Sequence, residues 1–475
     1  MSPGIPGDAP SKQYLFPPGG GDIIMSLSLA RPLAVIILGI FVMALIMLVP
    51  VATADKESSP VIRVNISCSP FMVDDPEFDF EFKRTLTSMY SKGSDLGEVI
   101  ATAARIQPLT VENWHTEWMK TADHFKGVGD AAYEKGHLTS AHDAWLRAAT
   151  YYRTAEFFLH QNPDDPRILS TWQKSVDTFQ KAMELDPVHM EIVQIPYENI
   201  TLPGYFYSAD ESGVKKPLLI IQTGYDGTQE ELYSNALEGV RHGYNVLTFE
   251  GPGQGEVIRV QKLPFRYDWE AVVTPVIDYA IQRADVDPGK IGLWGISMGG
   301  YLAPRAAAFD DRVSALIADS GVYDMAAEEV EQFKYGSPDP ENTTRQDVLD
   351  FIRENKNYMN ADMYARMNNS TSMEWLMTQG MYVFDVESPA DVMLIYEDYT
   401  LDGILEKIQC PTLVCDGESD SKIGGQARTF YDKLICPKEY LLFTNEYCAG
   451  EHCQLGASAI SFQEKFDWLD DQLHP

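Results

Sequence analysis

Gly295-Ile296-Ser297-Met298-Gly299 is a G-x-S-x-G pattern. Its small residues suit a strand-to-helix turn that is tight and strained, and such a turn lifts the serine above a sheet at the start of a helix. The context agrees: Ile291-Gly292-Leu293-Trp294 runs in as an apolar strand and a helical stretch runs out. A serine hydroxyl is a weak nucleophile without a base. Behind this turn the partners follow in the order serine, acid, histidine. Only His452 and His474 come after Ser297, and His474 is the penultimate residue, so His452 is the predicted base. The acid should follow the apolar run 412–416, where Asp416, Glu418 and Asp420 are all candidates. A Gly-x-x-Asp turn after the strand favours Asp420, whose role would be to hold the imidazole in one tautomer and stabilise the imidazolium.

Acyl transfer also needs two backbone N–H groups aimed at the developing oxyanion. One is expected from Met298, the residue after the nucleophile. The other is expected from Thr223-Gly224-Tyr225-Asp226-Gly227, with Tyr225 as the donor. Gly251-Pro252-Gly253-Gln254-Gly255 has neither the Lys-Ser/Thr of a phosphate loop nor G-x-G-x-x-G spacing, so it reads as a tight turn. The six cysteines include no C-x-x-C pair, and five of them fall between 410 and 453. No metal or cofactor is expected from them; disulfides and buried thiols both remain open.

These residues need a scaffold. Residues 77–187 read as helical, with Trp145, Ala148, Ala149, Tyr152 and Ala155 recurring three or four apart. They form an expected cap, in which Trp114 and Tyr152 either face a pocket or, more plainly, pack in the helical core. From 188 to 475 short apolar runs alternate with helical ones, which means a mostly parallel sheet with helices on both faces. Residues 324–406 interrupt that alternation without a clear strand and are expected to form a lid over the C-terminal edge of the sheet.

The ends and the charge bound the rest. Residues 1–31 read as a disordered tail. Residues 32–54 carry no charge and could span a bilayer as a single anchor helix, with a cleavable signal peptide as the competing reading because Ala52-Thr53-Ala54 fits a cleavage site. A single-pass membrane location is expected, with secretion after cleavage near Ala54 or a cytoplasmic location as alternatives. Asn65, Asn199, Asn342, Asn368 and Asn369 lie in Asn-x-Ser/Thr sequons and are glycosylation candidates if the body is lumenal. The formal net charge of −33, from 70 acidic and 37 basic residues, argues against nucleic acid as a partner. The expected partner is a small-molecule substrate, and a homodimer is compatible with the sequence. Residues 324–406 hold 18 acidic and 5 basic residues, so 13 of the 33 excess negative charges sit on the expected lid.

Phe249-Glu250-Gly251-Pro252-Gly253-Gln254-Gly255, the elbow, and Gly450-Glu451-His452-Cys453-Gln454 together resemble the fungal polyketide-processing α/β-hydrolases. Ser94-Asp95-Leu96-Gly97-Glu98 and Tyr151-Tyr152-Arg153-Thr154-Ala155-Glu156-Phe157 resemble that family's N-terminal segment, and the bacterial dihydroxy-pseudo-oxynicotine hydrolase is a more distant likeness. The resemblance implies an α/β-hydrolase fold beneath a helical cap. It also implies a Ser297–Asp420–His452 triad that cleaves C–C or ester bonds of aromatic or polyketide substrates without metal or cofactor. In a C–C hydrolase, a 3.7.1 rather than a 3.1.1 activity, His452 would also protonate carbon. A general carboxylesterase, a serine peptidase and a non-catalytic membrane-anchored binding protein are the alternatives.

Overall fold

The computed structural model describes residues 68, 70–337 and 339–474. The expected tail, the 32–54 segment and Asn65 lie outside them. Five helices come first: α1 (Pro76–Thr87), α2 (Leu96–Ala103), α3 (Val111–Glu134), α4 (Leu138–Glu156) and α5 (Arg167–Met183). Helix α1 starts where it does because the Asp75 side chain accepts from the Glu77 and Phe78 amides, and Pro76 occupies a first-turn position that needs no N–H donor. Trp114 and Tyr152 pack inside this layer: the Trp114 indole donates to the Thr154 carbonyl at 2.6 Å, and the Tyr152 hydroxyl donates to Asp123 at 2.5 Å.

The sheet has eight strands: β1 (Met190–Tyr197), β2 (Ile200–Tyr207), β3 (Lys216–Gln222), β4 (Asn245–Phe249), β5 (Val286–Ile296), β6 (Val313–Asp319), β7 (Thr412–Gly417) and β8 (Lys438–Phe443). Their spatial order is β1-β2-β4-β3-β5-β6-β7-β8. Strands β1, β2 and β4 pair antiparallel, and the sheet is parallel from β4 through β8. The run Leu218-Leu219-Ile220-Ile221 in β3 is apolar at every position because both its faces are covered. Leu218 and Ile220 pack with α7 (Glu270–Ala280) and α8 (Gly299–Ala307). Leu219 and Ile221 face α6 (Tyr233–Arg241) and α15 (Ser458–Leu473) on the other side. Residues of the first five helices belong to both apolar clusters, so that layer shares its core with the sheet.

Between β6 and β7 stand five more helices: α9 (Ala327–Gly336), α10 (Arg345–Glu354), α11 (Lys356–Met367), α12 (Thr371–Phe384) and α13 (Pro389–Ile395). Helix α14 (Gln426–Lys433) follows β7.

The expected single-pass membrane location does not stand. No helix among the described residues is long and apolar enough to cross a membrane, and the segment that suggested one lies outside them. Asn199, Asn342, Asn368 and Asn369 are exposed on the surface, but exposure alone makes no glycoprotein. Cys68 and Cys448 form a disulfide, while Cys410 and Cys415 are buried free thiols.

Candidate active site

Ser297 sits between β5 and α8 with φ of +63°, in the left-handed region that a non-glycine residue enters only when its surroundings force it. The force comes from packing: a Cβ at Gly295 would overlap the Gly299 carbonyl, so strand and helix can approach this closely only through glycine. The Ser297 amide donates to the Asp319 carbonyl at the end of β6. His452, in the loop between β8 and α15, has its Nε2 2.8 Å from Ser297 Oγ and its Nδ1 2.8 Å from Asp420 Oδ2. Because the carboxylate can only accept, Nδ1 carries the proton and Nε2 is left to accept from the serine hydroxyl.

The three acid candidates separate here. Asp416 accepts from the Tyr440 hydroxyl at 2.5 Å and Glu418 from the Asn445 amide at 2.7 Å, so both are engaged elsewhere. The turn closed by the Asp420 amide on the Gly417 carbonyl carries Asp420 to the histidine. Its Oδ1 accepts from the Lys422 and Ile423 amides, and its Oδ2 also accepts from the Ser320 hydroxyl at 2.8 Å. Burial alone would raise the Asp420 pKa, but His452 and these amides hold it well below the usual carboxylate range. Burial likewise opposes a charge on His452, yet the Asp420 carboxylate, with the Cys453 thiol beside it, pushes the imidazole pKa well above its ordinary value. The sequence singled out neither Ser320 nor Cys453.

The Met298 and Tyr225 amides have no hydrogen-bond partner among the described residues. Gly224 lets their loops meet: a Cβ there would lie 2.5 Å from the Met298 nitrogen. The glycine-rich turn after β4 supplies a further support. Gln254 Nε2 donates to the Thr223 and Gly224 carbonyls at 3.0 and 3.2 Å. The turn is tight as expected, but its glutamine reaches the 223–227 loop, which pattern alone did not reveal.

Ser297 and His452 open into a cavity of about 600 Å³, within the range of small-molecule sites. The segment between β6 and β7 walls it with Met325, in the turn before α9, and with Met359, Met363, Met373, Met377 and Met393 of the helices. Methionine side chains are flexible and polarisable and suit ligands of irregular outline. Glu329 also lines the cavity, and burial raises its pKa to about 7. Its carboxyl pairs with no other residue's side chain among the described residues. Nothing in the sequence set it apart from its neighbours Glu328 and Glu331.

The prolyl oligopeptidase family matches residues 273–382, a stretch that includes the elbow and most of the helices walling the cavity. The chain is 33% identical over 427 residues to "Hydrolase acrC" of Aspergillus aculeatus, covering 83% of this chain and 96% of that protein. It is 34% identical over 410 residues to "20-hydroxy-prefusarin hydrolase FUS2" of Gibberella moniliformis, again covering 83% and 96%. The crystal structure of 2,6-dihydroxy-pseudo-oxynicotine hydrolase shares the fold, with a TM-score of 0.65 at 22% identity over 82% of this chain and 95% of that one. With relatives this similar along nearly their whole length, the chain belongs to the α/β-hydrolases of fungal polyketide pathways and is a hydrolase of fungal secondary metabolism.

Proposed function

We propose that this hydrolase is a serine enzyme that cleaves a C–C or ester bond next to a carbonyl of a polyketide-like or aromatic substrate. The reading rests on the Ser297–His452–Asp420 hydrogen-bond chain opening into a methionine-walled cavity. Ser297 Oγ attacks the carbonyl carbon as His452 Nε2 takes its proton, and the oxyanion is met by the Met298 and Tyr225 amides. Collapse expels the leaving group with a proton from His452. Water, activated by the same imidazole, then releases the acyl group from Ser297. In C–C cleavage the leaving group is an enolate, and Glu329, poised near neutrality on the cavity wall, is a second proton source for it.

A fluorophosphonate probe tests the nucleophile. The wild-type chain should be labelled at one site, and Ser297→Ala should remove the label. An unlabelled wild type, or labelling that survives Ser297→Ala, overturns the assignment. Glu329→Gln separates the two chemistries: hydrolysis of a β-diketone should fall by about tenfold or more while that of a simple aryl ester holds. The prolyl oligopeptidase match favours one second reading, a peptidase. Faster turnover of aminoacyl anilides than of aryl esters would support it.

A further inference from the structure

Three layers hold the oxyanion loop, residues 223–227. Gln254 grips it from the sheet side, and Gln379 of α12 donates to the Tyr225 carbonyl at 2.9 Å. The third grip is Arg84 of α1. Its Nη1 and Nη2 donate to the two oxygens of Asp226 at 2.8 and 3.3 Å, and its Nε and Nη2 donate to the two oxygens of Glu231 at 2.8 and 3.2 Å. The remaining Nη1 hydrogen goes to Glu81 at 3.3 Å. A guanidinium has five N–H donors, and all five are engaged. Arg84 therefore lines the cavity with no donor left for a substrate.

Its partners hold the C-terminal side of the loop. Asp226 follows Tyr225, whose amide is one of the two oxyanion candidates. Glu231 stands four residues past the loop, where it closes a capping box with Thr228. Burial would raise the Asp226 pKa, but Arg84 brings it below its ordinary value, so the carboxylate stays charged and held. The same face of α1 reaches the other catalytic loops. Glu77, Phe80, Arg84 and Thr87 follow helical spacing. Glu77 pairs with Lys422, two residues past Asp420, and Thr87 Oγ1 accepts from the Gly456 amide, four residues past His452.

We propose that Arg84 is a positioning residue: its fork on Asp226 and Glu231 fixes the oxyanion loop so that the Tyr225 amide meets the developing oxyanion. The inference rests on the serine-hydrolase reading above. Lysine keeps the charge but has only three donors and no fork, so Arg84→Lys in the full chain is the central test, read with p-nitrophenyl esters. The variant should lose about tenfold or more in kcat with KM within about twofold, because the lost contact acts on the transition state. Binding of a trifluoromethyl ketone, whose adduct with Ser297 carries the oxyanion, should weaken by a similar factor. Arg84→Met combined with Asp226→Asn should be no slower than the slower single variant, since both act through one contact. An unchanged kcat for Arg84→Lys overturns the proposal. So does a rise in KM alone, or additive losses in the double variant. If the wild type is not labelled at Ser297, the underlying reading falls and this inference with it. A labelled wild type with an unaltered Arg84→Lys overturns this inference alone.

Discussion

At the scale of single residues, the candidate site depends on charge and close approach. The Asp420 carboxylate is held low and the His452 imidazole high, each by the other. Only neutral His452 can act as base, so kcat/KM for a simple aryl ester, which makes no call on Glu329, should rise with pH through a single limb centred above 6.5, the ordinary value. Asp420 stays ionised across that range and adds no second limb. A pH–rate profile between about 5 and 10 checks this; activity that falls with rising pH would contradict the base assignment. Gly224→Ala tests the close approach. The added methyl group would press on the Met298 amide and part the two donors, so kcat should fall by about 100-fold, on the scale of losing one oxyanion donor. Circular dichroism should stay that of the wild type.

At the scale of elements, the helices between β6 and β7 decide what the cavity admits. Met359 and Met363 lie four residues apart on α11, so both meet the cavity from one helical face. Met363→Trp would fill part of the chamber. Its kcat/KM for a long-chain acyl ester should fall about tenfold or more, while that for an acetyl ester holds. Equal losses on both esters would show that the chamber does not hold the acyl chain. Element positions were largely legible in the sequence. The apolar runs that alternate with helical ones after residue 188 form the sheet strands, and the last helix buries Phe462, Phe466, Leu469 and Leu473, spaced three or four apart. Short strands buried on both faces are dense in branched apolar residues, and that density is visible without coordinates. The uses of α1 were not legible. Glu77, Asp79, Glu81 and Lys83 are buried: Lys422 and Glu451, 345 and 368 positions away, meet Glu77 and Lys83, Arg153 of α4 meets Glu81, and the Phe71, Met72 and Val73 amides donate to Asp79.

At the scale of the molecule, buried ion pairs join the layers. Arg259 donates from Nε and Nη2 to the two oxygens of Glu156 at 3.0 Å each, and His160 lies 2.8 Å from the same carboxylate. Burial would raise the Glu156 pKa, but Arg259 and His160 lower it to about 2. A carboxylate depressed on folding stabilises the fold fully above its unfolded value, 4.5, and loses that contribution as pH falls through about 2. Urea midpoints should therefore drop over that window, and less steeply in Glu156→Gln. Arg259→Met leaves Glu156 buried without its guanidinium and should cost about 3–5 kcal/mol by urea unfolding at neutral pH. A cost under about 1 kcal/mol would mean that the pair does not hold the layers together. The acidic excess also takes a place. Each of the five basic residues in 324–406 makes an ion pair with an acidic residue of the same stretch, so the formal surplus of 13 negative charges stays on that stretch.

The sequence by itself determined the elbow, the order of serine, acid and histidine, and the alternation that builds the sheet. Each is written in local spacing and residue type, and local chemistry sets turns, strands and helices. Among Asp416, Glu418 and Asp420 it favoured Asp420, from the Gly-x-x-Asp turn after the strand. Only the tertiary structure brought Asp420 to His452 and sent the other two elsewhere. It alone turned Gln254 and Arg84 toward the 223–227 loop and set Glu329 on the cavity wall. The physical reason is distance along the chain: these contacts join residues separated by tens to hundreds of positions, and their geometry exists only once the layers have packed.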